Sequence, residues 1–280
     1  MSAARPRCSL SWLFSPLPWP TSAKETQPDR RPPTLCTAHR LHLNLFHRFD
    51  TKDITMAVVT RWFWVRHSPV INPDHIVYGA SDMPVDVSET HMFAPAARAL
   101  PRGEDVHWLT STAGRTHRTR DAIIREGYPA ITSTEDARFA EQGLGDWEGL
   151  TWEEALPGGE QHPFWHTTAE YRPPNGESFT DVIERVHAGV RHWTAAFRGQ
   201  DIVCVAHGGV IRAMATIALG MAPDKGLSIG VDNCSISRFD WVEYGEAQPK
   251  QAWRTGYLNL SPRKPDGFAN GAALSSDERG

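Results

Sequence analysis

Arg66 and His67 stand side by side at the end of an apolar run, "WFWVRHS", and His207-Gly208-Gly209 stand at the end of another, "IVCVAHGG". Between them lies Arg115, a few residues past a third run, "DVHWLTS". An imidazole can act as nucleophile or as proton carrier near neutral pH. Arginine forks match the oxygens of a phosphoryl group two at a time. A helix that begins at Gly208-Gly209 would add free N–H groups and a positive dipole end, which also favour an anion. Two arginines, two histidines and a helix terminus make a site for a phosphoryl group.

These residues meet only if particular elements bring them together. "AVVTRWFWV", "DVHWLTS" and "DIVCVAH" read as strands, and the last is apolar almost throughout, as a central parallel strand would be. "DVSETHMFAPAARALP", with Asp86 or Ser88 as cap, reads as a helix. So do "GRTHRTRDAIIREG", closed by Gly127, and "GGVIRAMATIALG". In "SFTDVIERVHAGVRHWTAAFRG" the residues Phe179, Val182, Ile183, Val186, Val190, Trp193 and Phe197 recur at helical steps. "CSISRFDWVEYG" and "QAWRTGYLNL" read as late strands forming a paired edge. Strands alternating with helices predict a three-layer α/β/α sandwich around a mostly parallel sheet. Ligands of such sheets bind beyond the carboxyl ends of the strands, and adjacent parallel strands would place both histidines there.

Composition narrows the function. The chain has 280 residues and a net charge of −4. Residues 1–55 hold 8 Lys and Arg against 4 Asp and Glu, and the remainder holds 21 against 29. An acidic main body disfavours nucleic acid as a partner. No apolar run is long enough to span a membrane. Cys8, Cys36, Cys204 and Cys234 have neither redox nor zinc-ligand spacing, so a reducing, cytoplasmic setting is expected. His162 and His166 are four apart but Pro163 stands where a zinc protease has glutamate, and no metal site is expected. His39, His42 and His47 have no evident chemistry either. The proline-rich residues 1–55 read as a disordered extension or the product of an upstream start, residues 56–262 as the domain, and 263–280 as a flexible tail.

Five segments in order resemble the histidine phosphatase superfamily, in its phosphoglycerate-mutase-like branch. They are "WFWVRHS", "TSTAGRTHRT", "FAEQGLGDWEGLTWEE", "PNGESFTDVIERV" and "VAHGGVIR". The resemblance implies that His67 attacks phosphorus and becomes a phosphohistidine, its other nitrogen held by a hydrogen bond such as one to a backbone carbonyl. It implies that Arg66, Arg115 and His207 hold the phosphoryl oxygens and that Glu141 donates a proton to the leaving group. Ser68, Tyr78 and Gly208 are further candidates for substrate contact, and Glu148 is expected to brace a turn. No cofactor and no metal are implied, and the partner is a small phosphorylated metabolite. The segment "PVINPDHIVYGASDMPVD" departs from the mutases, and its Tyr-Gly-x-x-Asp-x-Pro pattern is similar to phosphatases acting on α-ribazole phosphate. The expected function is a metal-independent phosphomonoesterase. The rival readings are α-ribazole phosphatase, a phosphoglycerate-type mutase, and a non-catalytic module that binds a phosphorylated ligand.

Overall fold

A computed structural model describes residues 57–156, 168–244 and 251–262. The expectations for residues 1–55 and 263–280, and for His39, His42, His47, His162 and His166, lie outside the described residues.

β-branched and aromatic residues form strands here because their stiff side chains pack on a pleated surface. Six strands make one sheet: β1 (Val58–Arg66), β2 (Val106–Thr110), β3 (Ser133–Glu135), β4 (Asp201–Ala206), β5 (Ile236–Glu243) and β6 (Gln251–Leu260). Their spatial order is β3-β2-β4-β1-β5-β6. The first four are parallel neighbours, while β5 runs antiparallel to β1 and β6 antiparallel to β5. β4 lies between β1 and β2 and all its residues are buried, as its apolar run predicts. β5 and β6 form the expected paired edge. β3 has no sequence signal, since three residues are too short to show a period.

Alternate residues of each strand face opposite sides. Trp62, Trp64, Ile202 and Cys204 face one core, with Val182 and Val186 of α4 (Phe179–Ala196) and Ile211 and Met214 of α5 (Gly208–Leu219). Phe63, Val65, Val203 and Val205 face the other, with Ala96 and Ala97 of α1 (Ala94–Ala99) and Ala122 and Ile123 of α2 (Gly114–Arg125). The two cores make the three-layer sandwich. Short helices α3 (Trp152–Ala155) and α6 (Pro223–Gly226) complete the described set.

The helix expected over residues 86–101 is much shorter. The Asp86 carboxylate accepts from the Ser88 N–H at 2.8 Å and its hydroxyl at 2.7 Å, a local turn rather than a helix cap. One 3-10 turn, Thr90–Met92, precedes α1. Pro95 has no N–H to give and is accepted only in a first helical turn, so the helix restarts there. α4 begins as its sequence predicts. Ser178 and Asp181 form a reciprocal capping box, which satisfies two otherwise orphaned N–H groups.

Candidate active site

β1 pairs with β4 so that Arg66 stands opposite Ala206. The next residue of each strand is a histidine, and the rings of His67 and His207 lie 5.1 Å apart between centroids. Both are buried. The Nδ1–H of His67 donates to the Ser68 carbonyl at 2.7 Å, as the resemblance implies, which leaves the lone pair on Nε2. Burial holds the pKa of His67 well below its ordinary value, and the neighbouring charges of Arg66 and Arg115 push it the same way. The ring is therefore neutral and nucleophilic near neutral pH. Asn233, on the turn before β5, braces this strand end by donating to the His67 carbonyl at 2.9 Å.

Arg115, in the first turn of α2, is completely buried. Its Nε–H donates to Nδ1 of His207 at 3.2 Å, and its terminal nitrogens to the carbonyls of Ser81 at 2.6 Å and Gly79 at 2.9 Å. Three of its five N–H groups are thus placed, which leaves two for a ligand. The ring of Tyr78 lies 5.5 Å from the guanidinium carbon, and Asp82 accepts from the Arg115 backbone N–H at 3.1 Å. The Tyr-Gly-x-x-Asp-x-Pro stretch therefore builds the seat of this arginine. Glu148 holds that seat in turn, accepting from the backbone of Ala80, Ser81 and Leu144 at 2.8 to 3.0 Å. This is the bracing role expected for it.

Arg66 gives one terminal N–H to the Val231 carbonyl at 2.5 Å, while its Nε is buried without a partner. A Cβ on Gly208 would lie 3.5 Å from that Nε, so the glycine enters the site as the surface on which Arg66 rests. His207 accepts from Arg115 at Nδ1, so its proton sits on Nε2 and points at the Ser111 hydroxyl, 2.7 Å away. Burial and the cations Arg115, Arg66 and Arg185 keep it neutral too. Both ring nitrogens of His207 are engaged by protein groups, so it orients Arg115 rather than presenting a free donor. Ser68 is next to the nucleophile in sequence, but its hydroxyl donates to the Asp86 carbonyl and its N–H to Thr119 Oγ1 at 2.9 Å. Its side chain is thus committed away from the histidine pair, and its carbonyl is the part that serves the site.

Glu141 lies at the N-terminus of α5. Its carboxylate accepts from the Gly209 N–H at 3.1 and 3.3 Å and from the Gln142 N–H at 3.0 Å. The helix terminus expected to face an anion thus faces this carboxylate. A Cβ on residue 209 would meet Glu141 Oε1, so a larger residue there would make the carboxylate shift. Arg185 of α4 gathers the loop behind Glu141. It donates to the carbonyls of Arg138 at 2.8 Å, Ala140 at 2.7 Å and Glu141 at 3.1 Å, and forks the Glu177 carboxylate. Glu177 also accepts from the Gly143 N–H at 2.9 Å. Glu177 therefore has a positioning task.

Arg185, Asn233 and Ser111 carry no sequence signal of their own, since each acts through a neighbour distant in the chain, whereas Asp82 belongs to the Tyr-Gly-x-x-Asp-x-Pro pattern. Only the Gly-Glu-Ser segment hinted at the Glu177 brace. Among the described residues no cluster of three or more His, Cys, Asp or Glu side chains could hold a metal ion.

Residues 62–252 match the model of the histidine phosphatase superfamily, branch 1. A bifunctional protein of Mycobacterium tuberculosis is 30% identical over 202 residues, which cover 71% of this chain and 55% of that protein. The chain thus spans about half the length of that curated relative. A probable phosphoglycerate mutase, GpmB, of Yersinia enterocolitica is 30% identical over 65% of this chain and 85% of its own. A glucosyl-3-phosphoglycerate phosphatase of Mycolicibacterium vanbaalenii is 33% identical over 53% and 67%. A solved mycobacterial glucosyl-3-phosphoglycerate phosphatase shares the fold, with a TM-score of 0.61 at 24% identity, over 72% of this chain and 100% of that one. So does an Escherichia coli candidate alpha-ribazole-5'-P phosphatase, with a TM-score of 0.57 at 18% identity, over 71% and 96%. With the paired histidines, the seated arginine and this match over most of the described domain, the chain belongs to the histidine phosphatase superfamily, branch 1.

Proposed function

We propose that the chain hydrolyses the phosphate monoester of a small metabolite through a phosphohistidine on His67. One observation carries the reading. The Nδ1–H of His67 is spent on the Ser68 carbonyl, so a neutral Nε2 lone pair remains beside two arginines. Nε2 attacks phosphorus while the ester P–O bond breaks. Arg66 and Arg115 donate to the non-bridging oxygens and stabilise charge that grows in the transition state. Glu141 gives its proton to the departing alkoxide. It then takes one from the water that attacks the phosphohistidine, and the histidine leaves as a neutral ring. Two relatives named for phosphoglycerate esters support small organic phosphates as the substrate class. The α-ribazole-like stretch seats Arg115 through the Gly79 and Ser81 carbonyls. A cytoplasmic setting is part of this reading, in keeping with four cysteines that have neither redox nor zinc-ligand spacing.

The test is rapid quenching with a labelled ester in the presence of chelator. An acid-labile, base-stable label on wild type, absent in His67→Asn, supports the reading. Phosphate binding without turnover would instead select the non-catalytic module.

A further inference from the structure

The edge strand β6 is irregular near its C-terminal end. Its pairs with β5 run Ile236–Leu260 and then Arg238–Tyr257, so Ser237 alone faces two residues, Leu258 and Asn259. The extra residue makes a β-bulge, a device that re-aims a side chain next to a site. Asn259 sits in the bulge with a φ of 54°, a left-handed conformation that asparagine accepts more readily than most residues. Its N–H donates to the buried Ser237 hydroxyl at 3.0 Å, which fastens the bulge to β5. Its side-chain oxygen accepts from the Asp232 N–H at 2.7 Å.

Asp232 belongs to the turn that holds the end of β1. The Ser235 N–H closes that turn on the Asp232 carbonyl at 3.1 Å, and Cys234 lies within it at a φ of 59°. The residues around Asp232 bond to Arg66 or His67. The Val231 carbonyl accepts from the Arg66 guanidinium at 2.5 Å, and Asn233 donates to the His67 carbonyl at 2.9 Å. The Cys234 N–H donates to the Arg66 carbonyl at 3.0 Å, and the Ser235 carbonyl accepts from the Arg66 N–H at 3.2 Å. The N–H of Asp232 is tied instead to Asn259. The turn thus has four ties to the site and one to the sheet edge. Water could satisfy the Asp232 N–H equally well, so what Asn259 adds is placement.

We propose that Asn259 is a positioning residue for Arg66 and His67, acting through the turn 231–235. The inference rests on the phosphatase reading for the roles of those two residues. If the turn drifts, the Val231 carbonyl takes the Arg66 fork with it, and Asn233 takes the strand end that carries His67.

The test uses the full-length protein. Asn259→Gly keeps the left-handed backbone and removes the acceptor, and Asn259→Asp keeps both. Calorimetry with inorganic phosphate reads the placement of Arg66 without turnover, and hydrolysis of nitrophenyl phosphate reads that of His67. Asn259→Gly is expected to weaken phosphate binding about fivefold, as the loss of one hydrogen bond would. It is expected to lower kcat about tenfold or more, since small misplacements of reacting groups are costly. Asn259→Asp is expected to recover most of both. A merely structural role would lower the urea midpoint but leave phosphate affinity and kcat unchanged, and that result would overturn the proposal. Equal losses in the two variants would overturn it too. In wild type the Asp232 amide is expected to exchange slowly with deuterium, and exchange at the rate of an open chain would refute the proposal with no variant needed. Failure of the phosphatase reading shows separately, as wild type that binds phosphate and hydrolyses no ester, and the phosphate comparison still decides the placement of Arg66.

Discussion

On the proposed reading, the hydrogen bond from His67 to the Ser68 carbonyl leaves Nε2 to react, and the depth of the ring decides how to test it. The strand end suggests an exposed side chain, but the ring is only 1% exposed. Truncation to alanine would therefore leave a cavity as well as remove the proposed nucleophile. His67→Asn is the better variant and is expected to remove turnover and the trapped phosphoenzyme while circular dichroism stays native. The proton-donor role proposed for Glu141 calls for a different measurement, because it depends on the leaving group. A sugar alkoxide needs a proton as its bond breaks, and a nitrophenolate does not. Glu141→Gln is expected to slow phosphorylation by the sugar phosphate about 10²–10⁴-fold, and by the nitrophenyl ester far less. Pre-steady-state bursts separate that step from hydrolysis of the phosphohistidine. Equal losses would show that another group is the acid.

At the scale of elements, α4 supports the site from behind the Glu141 loop. Arg185 ties this helix to three carbonyls of the Glu141 loop and to Glu177. Arg185→Met is expected to reduce turnover of poor leaving groups by about ten- to a hundredfold, since a misplaced acid costs that much. Activated esters would be largely spared, and a merely structural role would slow both alike. One turn further along, Gly189 lets α4 press against Phe139, where a Cβ would come within 2.7 Å of the ring. Gly189→Ala gains helix propensity but overpacks this contact. It is expected to cost about 1–3 kcal/mol, read as a lower urea midpoint. An unchanged midpoint would show that the ring can move aside.

The fold buries two histidines just past the ends of β1 and β4, and this is expected to give its stability a pH dependence. His67 and His207 both have folded-state pKa values well below the ordinary 6.5. Above that value neither state binds a proton there. As pH falls below it, the unfolded chain takes up protons that the fold refuses, so stability is lost from 6.5 down toward the folded values. The slope is at most about 1.4 kcal/mol per pH unit for each histidine. Urea midpoints between about pH 7.5 and about pH 5 are expected to fall in wild type and to fall less in His207→Asn. A flat wild-type profile would show that the rings protonate in place.

Strand periods, the helical stripe of α4 and the chemistry of Arg66-His67, Arg115, Glu141 and His207-Gly208 are local properties, so they are legible in the sequence. So is the capping box of Ser178 and Asp181, because its partners are three residues apart. The sequence also determines that β4 is central, since only a strand covered on both faces can be apolar throughout. Other features depend on groups that are far apart in the chain. The tertiary structure turns Ser68 to Asp86, commits both nitrogens of His207, and fills the α5 terminus with Glu141. It also recruits Arg185 and Asn233 to the site. A sequence shows which residues can donate and accept, but which donor meets which acceptor is set by how the layers pack.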